Sequence, residues 1–239
     1  MSTTTPLLLL PGMLNDGELW RQQASDLSEV TEVVIADVTG AGSMSALAAA
    51  VLDQAPSGQF ALAGHSMGGV VALEVMRQAP ERIAQLALIN TSARAESPQA
   101  FDALEQLIDL ASKDFSAVVE MFRTKVVDAS NATAQAAFVE MAHRVGSDVF
   151  VRQQRAMIGR IDSRPELSKI VCPTLILGGD VDVLTPIKLQ QEMASAIRGS
   201  TLSIVEGCGH LAPLEQPRQV TEALGKWLQR DVPGSGATG

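Results

Sequence analysis

The chain has 239 residues, enough to bury a sizeable core and most simply folded as one domain carrying an insertion. Its net charge of −9 leaves no excess of lysine and arginine to neutralise nucleic-acid phosphates or an anionic membrane surface, and 46% hydrophobic against 19% charged residues describes an ordinary soluble globular protein. Two cysteines, Cys172 and Cys208, are too few for a disulfide framework and read as buried thiols of a reducing compartment. Together with His65, His143 and His210 they show no metal-ligand spacing.

The first six residues carry no basic side chain, and the apolar run 7–10 is too short for a signal-peptide core. No apolar stretch approaches the length of a membrane span, so the expectation is a cytoplasmic protein. Short apolar runs predict strands at 7–10, 33–36, 60–63, 86–89, 174–177 and 202–205, most of them continuous, as expected of parallel strands covered on both faces. Between them, helical periodicity predicts helices at 18–27, 45–54, 67–78, 187–197 and 218–229. Thr185-Pro186 reads as a cap followed by proline at the first helical position. Strand–helix alternation predicts an α/β doubly wound, mostly parallel sheet.

From 95 to 165 the alternation stops. No strand pattern occurs there, and the apolar residues fall at helical spacing: Phe101, Leu104, Ile108 and Ala111, then Val118, Phe122 and Val126, then Ala134, Phe138, Met141 and Val145. Ser97-Pro98 opens the first of these helices by the same capping logic. The organisation expected is a core of 1–94 and 166–239 with a helical cap at 95–165 inserted over its catalytic edge, and a flexible tail at 233–239.

Gly64-His65-Ser66-Met67-Gly68-Gly69 is a G-x-S-x-G pattern on a strand–turn–helix junction, where a serine occupies a strained turn that holds its hydroxyl in the open. A neutral hydroxyl is a poor nucleophile and needs a base, with a third group to orient that base. His210, in the glycine-rich loop after the last predicted strand, is the best base. Asp180 and Asp182 both follow the strand at 174–177. Asp182, carried beyond the Gly178-Gly179 turn, is preferred as the orienting acid, and Asp180 is better placed to receive turn amides. The order Ser, Asp, His is one of three that reach the same catalytic geometry. An oxyanion needs fixed backbone donors, here expected from the N–H of Met67 and of Met13 after the first strand, where Gly12 lets the backbone approach. His65 is expected to pack or wall the pocket, pointing away from these residues, and His143 to be solvated.

These segments, with Gly209-His210-Leu211-Ala212-Pro213-Leu214-Glu215-Gln216-Pro217, resemble the α/β-hydrolase superfamily over nearly the whole chain, and within it small capped carboxylesterase-like and enol-lactonase-like serine hydrolases. The resemblance implies Ser66, Asp182 and His210 as the triad, Met13 and Met67 as oxyanion amides, and a small-molecule ester, lactone or thioester as substrate. Two departures stand out. Pro11-Gly12 replaces the family's frequent His-Gly, and one or two leading strands are missing or abbreviated.

Phenylalanines and methionines of the cap, Phe122 and Met141 among them, are expected to give an apolar cleft. Arg152, Arg155, Arg160 and Arg164 read by default as a solvated face, the sharper alternative being Arg164 paired with a substrate carboxylate. No cofactor or metal is expected. The same triad also serves carbon–carbon hydrolysis, acyl transfer or perhydrolysis, and the same fold serves as a ligand-binding module.

Overall fold

The computed structural model describes residues 5–128 and 130–230, and the tail expected at 233–239 lies outside them. Strands β1 (Leu7–Leu10), β2 (Val33–Ile35), β3 (Phe60–His65), β4 (Ile83–Ile89), β5 (Thr174–Gly179) and β6 (Thr201–Val205) pair in parallel as one sheet, in the order β2-β1-β3-β4-β5-β6. Every residue of β1, β3, β4 and β5 is buried, the polar Gln85, His65 and Thr174 included, so these strands are apolar over most of their length.

Side chains alternate between two cores. Leu7, Leu9, Ala61, Ala63, Ala87, Ile89, Leu175 and Leu177 face helices α1 (Arg21–Leu27) and α10 (Pro217–Leu228). Leu8, Leu10, Phe60, Leu62, Leu86, Leu88 and Ile176 face α2 (Met44–Gln54), α3 (Met67–Gln78) and α8 (Ile187–Ala196). The chain places β2 on one side of β1 and β3 on the other. The loops after β1 and β3 therefore part at the strands' C-terminal ends, which is where an open α/β sheet leaves a ligand crevice.

Helix starts differ from expectation in three places. The stretch at 18–27 divides into a 3-10 turn, Gly17–Trp20, capped by Asp16, followed by α1. Ser97 makes no capping bond. Its hydroxyl donates to Gln99 Oε1 at 2.5 Å, and Pro98 opens a 3-10 turn ahead of the first insertion helix. Thr185 does not cap α8 either: Pro186 holds the cap position in extended geometry, and the Thr185 hydroxyl is spent on Asp182.

Between β4 and β5 lie α4 (Phe101–Lys113), α5 (Phe115–Val126), α6 (Ala132–Val145) and α7 (Ser147–Ile158), with no strand among the described residues. α4 packs on α5 and α7, and α5 on α6. Their buried side chains, including Val118, Phe138, Met141 and Phe150, join the core on the α1/α10 side of the sheet. Two stitches fix this helical cap over the strand ends. Gln153 of α7 accepts from the Leu14 N–H (3.2 Å) and donates to the Val38 carbonyl (3.2 Å). The Val126 carbonyl at the end of α5 accepts from the N–H groups of His210 (3.2 Å) and Leu211 (3.1 Å).

Candidate active site

β3 ends at His65 and α3 begins at Met67, so Ser66 alone turns the chain, at φ 53 and ψ −119. A side chain rarely adopts this conformation, and it persists where neighbours over-determine it. Here the Ser66 N–H donates to Ile89 O (2.9 Å), and Ser66 O accepts from Thr91 Oγ1 (2.7 Å) and Gly69 N (2.9 Å). The turn is too tight for side chains at its flanks. A Cβ at Gly64 would stand 2.3 Å from Gly68 O, and one at Gly68 would stand 2.4 Å from Leu10 O and 2.5 Å from Pro11 O. All of these neighbours are backbone. Gly68→Ala is therefore expected to push the loop after β1 outward and to destabilise the fold by on the order of 3 kcal/mol, read as a lowered urea midpoint at unchanged slope.

His210 Nε2 lies 2.8 Å from Ser66 Oγ, and His210 Nδ1 lies 2.8 Å from Asp182 Oδ2. A carboxylate only accepts, so Nδ1 carries the hydrogen and Nε2 presents its lone pair to the serine hydroxyl. Asp182, 4% exposed, accepts on Oδ1 from the N–H groups of Leu184 (2.8 Å) and Thr185 (2.9 Å). On Oδ2 it accepts from Thr185 Oγ1 (2.5 Å) and Asn90 Nδ2 (2.8 Å) as well as from the histidine. Burial opposes its ionisation, but the neighbouring imidazole and these donors outweigh burial and hold the carboxyl below the usual range. Asp180 stands apart, exposed, receiving the Cys208 N–H at 3.2 Å.

The loop carrying His210 is held by a second carboxylate. Glu215, the last residue of the short helix α9 (Ala212–Glu215), accepts from the N–H groups of Gly209 (3.2 Å), Leu211 (3.0 Å) and Asp128 (3.0 Å), the last on the connection leaving α5. Burial raises its pKa against those donors. His65 does not point away as expected. Its ring is fully buried 5.1 Å from the His210 ring, and its Nε2–H donates to the His210 carbonyl at 2.7 Å. Burial, reinforced by His210, pushes its pKa down to about 3, so it stays neutral. His143 is exposed, edge-on to Phe115.

The loop after β1 lies against the elbow: a Cβ at Gly12 would come within 3.1 Å of the Ser66 Cβ and 2.8 Å of His65 Nδ1. The Met13 and Met67 N–H groups donate to no described residue, while Leu14, at φ 62, is held by Gln153. Ser66, His210, Met13, Phe122, Phe138 and Met157 line a cleft of about 340 Å³ beneath the insertion. Met141 does not reach it. Fully buried, it belongs to the core among the cap helices. Arg164 is also outside the cleft. It lies in the 3-10 turn Arg164–Lys169 that returns to the sheet, half-exposed, paired with Asp162 (2.5 Å) and Glu192 (3.7 Å). The arginine that does line the cleft is Arg160, bound to Glu96 (2.9 Å) and to the Arg94 carbonyl (2.9 Å).

Sequence reasoning passed over Asn90, Gln153 and Glu215. Asn90 left a signal, since an asparagine directly after a buried strand suits the positive φ of 45 found there. Glu215 lies inside the quoted run after His210. Gln153 left none.

A sheet of this order, with a serine on a sharp turn between a strand and a helix, defines an α/β-fold hydrolase. The family model described as the alpha/beta hydrolase fold matches residues 5–217, and the chain belongs to that family. It is 27% identical over 240 residues to the pimeloyl-[acyl-carrier protein] methyl ester esterase of Aliivibrio salmonicida, covering 93% of this chain and 92% of that one. It is 25% identical over 241 residues to 3-oxoadipate enol-lactonase 2 of Acinetobacter baylyi, covering 94% and 89%. Among solved structures, a thermophilic esterase from Thermogutta terrifontis with malate bound superposes at a TM-score of 0.89, with 28% identity, over 95% of this chain and 90% of that one. Among the described residues, no helix is long and apolar enough to cross a membrane.

Proposed function

We propose that the chain hydrolyses small or medium carboxylic esters, lactones included, through an acyl-serine intermediate, with Ser66, His210 and Asp182 as the triad. The observation that carries this reading is the unbroken relay of two 2.8 Å contacts from Ser66 Oγ through the imidazole to Asp182, opening into the cleft. The names of the relatives, an ester esterase and an enol-lactonase, support the same class of bond.

Ser66 Oγ attacks the ester carbonyl carbon while His210 Nε2 takes the hydroxyl proton. The carbonyl oxygen becomes an oxyanion received by the Met13 and Met67 amides, each worth roughly 2.7–4 kcal/mol to the transition state. Asp182 stabilises the imidazolium without itself taking the proton. As the tetrahedral intermediate collapses, the C–O bond breaks and His210 returns its proton to the departing alkoxide, which leaves as the alcohol. Water then attacks the acyl-serine, giving up a proton to His210, and a second collapse releases the acid and restores the hydroxyl.

A fluorophosphonate is expected to label the native chain on Ser66 and to leave Ser66→Ala unlabelled. A panel of p-nitrophenyl esters should then show turnover falling for acyl chains too long for the cleft. An unlabelled Ser66 alongside saturable ligand binding would replace the enzyme reading with that of a binding module.

A further inference from the structure

Gln153 and Gln154 are adjacent on α7 and live in opposite circumstances. Gln153 is fully buried with both ends of its amide engaged. Gln154 is 3% exposed and lines the cleft above Ser66, yet its amide bonds to no described residue. The residue is almost wholly packed while its amide, free of partners among the described residues, opens on the cleft, so a group occupying the cleft could bond to it without breaking a bond within the protein. Met157, one helical turn on, and Arg160 past the helix end line the same cleft.

Asn15 adds a second, independent observation. It is 1% exposed, lines the cleft, and its Nδ2 has no acceptor. Because Gln153 binds the Leu14 N–H, α7 is held against the loop after β1, and the residue that follows each of these partners, Gln154 and Asn15, lines the one cleft. No free charge stands on the α7 side, since Arg160 is already neutralised by Glu96 at 2.9 Å. The cation of the cleft without an ion pair among the described residues is Lys125, on a different helix, α5.

We propose that Gln154, with Asn15 of the same cleft, forms a polar subsite that receives a neutral oxygen acceptor on the substrate: a ketone, an amide carbonyl or a hydroxyl, as opposed to a carboxylate. The bond broken is that of the hydrolase reading, on which this deepening rests. The subsite determines which esters bind; it takes no part in the proton relay.

The test uses two series of esters, with a ketone at successive positions of the acyl chain or of the alcohol, each ester beside its analogue carrying C=CH2 in place of C=O. The native chain is expected to favour at least one ketone over its analogue by about tenfold in kcat/KM, the scale of one net hydrogen bond. Gln154→Leu is expected to erase that ratio. Gln154→Glu, which keeps size and polarity but loses the donors, should erase it as well, with thermal melting as the check that both variants fold. Calorimetry on Ser66→Ala reads the same ratio as binding, with no turnover needed, so a chain that fails to label with fluorophosphonate loses the hydrolase reading while the subsite is still decided. Absence of any ketone preference in both series, or its survival in folded Gln154→Leu, overturns the proposal.

Discussion

Asp182→Asn is expected to lower kcat by on the order of 10⁴, with the fold intact, while Asp180→Asn changes it by no more than a few fold. Asparagine at 182 keeps the shape but can present an N–H₂ to His210 Nδ1. That favours the tautomer with hydrogen on Nε2, which cannot take the proton of Ser66. The cavity around Asp182 is built for an acceptor. Five donors converge on its two oxygens, from Leu184, Thr185, Asn90 and His210. Asp180 has one amide to satisfy and is open to solvent. Steady-state kinetics on the two variants separates the alternatives directly, and an equal loss in both would remove Asp182 from its assigned place.

The inner strands were legible because burial on both faces writes itself as apolar runs, while the edge strands β2 and β6 are less buried. Leu7–Leu10 begins and ends where the run does, and β3 and β5 extend the predicted strands by their glycines and His65 alone. Ser66 and His210 were legible because each sits in a pattern whose chemistry needs that residue type. What composition hides is contact between distant segments. Thr185 reads locally as a helix cap, and only the fold shows its hydroxyl turned to Asp182 and 3.4 Å from His210 Nδ1. Arg164 looked available for a ligand because neither the local turn that closes it on Asp162 nor the approach of Glu192 on α8 is written in its own segment. Met141 and Phe122 have equal claims by periodicity. Helix packing alone decides that one fills the core of the insertion and the other the wall of the cleft.

The insertion is bound through the backbone to the loops around Ser66 and His210. The end of α5 receives the amides of His210 and Leu211, Glu215 ties that loop to Asp128, and Gln153 ties α7 to the amide next to Met13. Moving either helix as a rigid lid would break hydrogen bonds on the loops that carry His210 and Met13. Substrate entry is therefore expected to involve α4, whose exposed Phe101 and half-buried Leu104 and Leu107 make fewer such commitments.

Acidification is expected to destabilise this protein well before its carboxylates are protonated, and His65 is the cause. An unfolded chain protonates this histidine near 6.5, whereas the folded one, burying the ring completely, does so only at about 3. The unfolded state therefore binds the extra proton throughout that interval. The stability arising from neutral burial is whole above pH 6.5 and is lost as pH falls toward 3. By pH 5 the loss amounts to about 2 kcal/mol. Asp182 shifts stability in the same direction, but only from about 3.8 downward, since that is where its carboxyl begins to bind protons when unfolded. Urea unfolding at pH 7 and pH 5 excludes Asp182, and Glu215, whose raised pKa lets the folded state take its proton first, acts against the histidine in that interval. His65→Gln, which keeps an N–H₂ for the His210 carbonyl and has nothing to titrate, should flatten the difference between the two pH values. A difference as steep in the variant as in the native chain would move the origin of the acid sensitivity to another group.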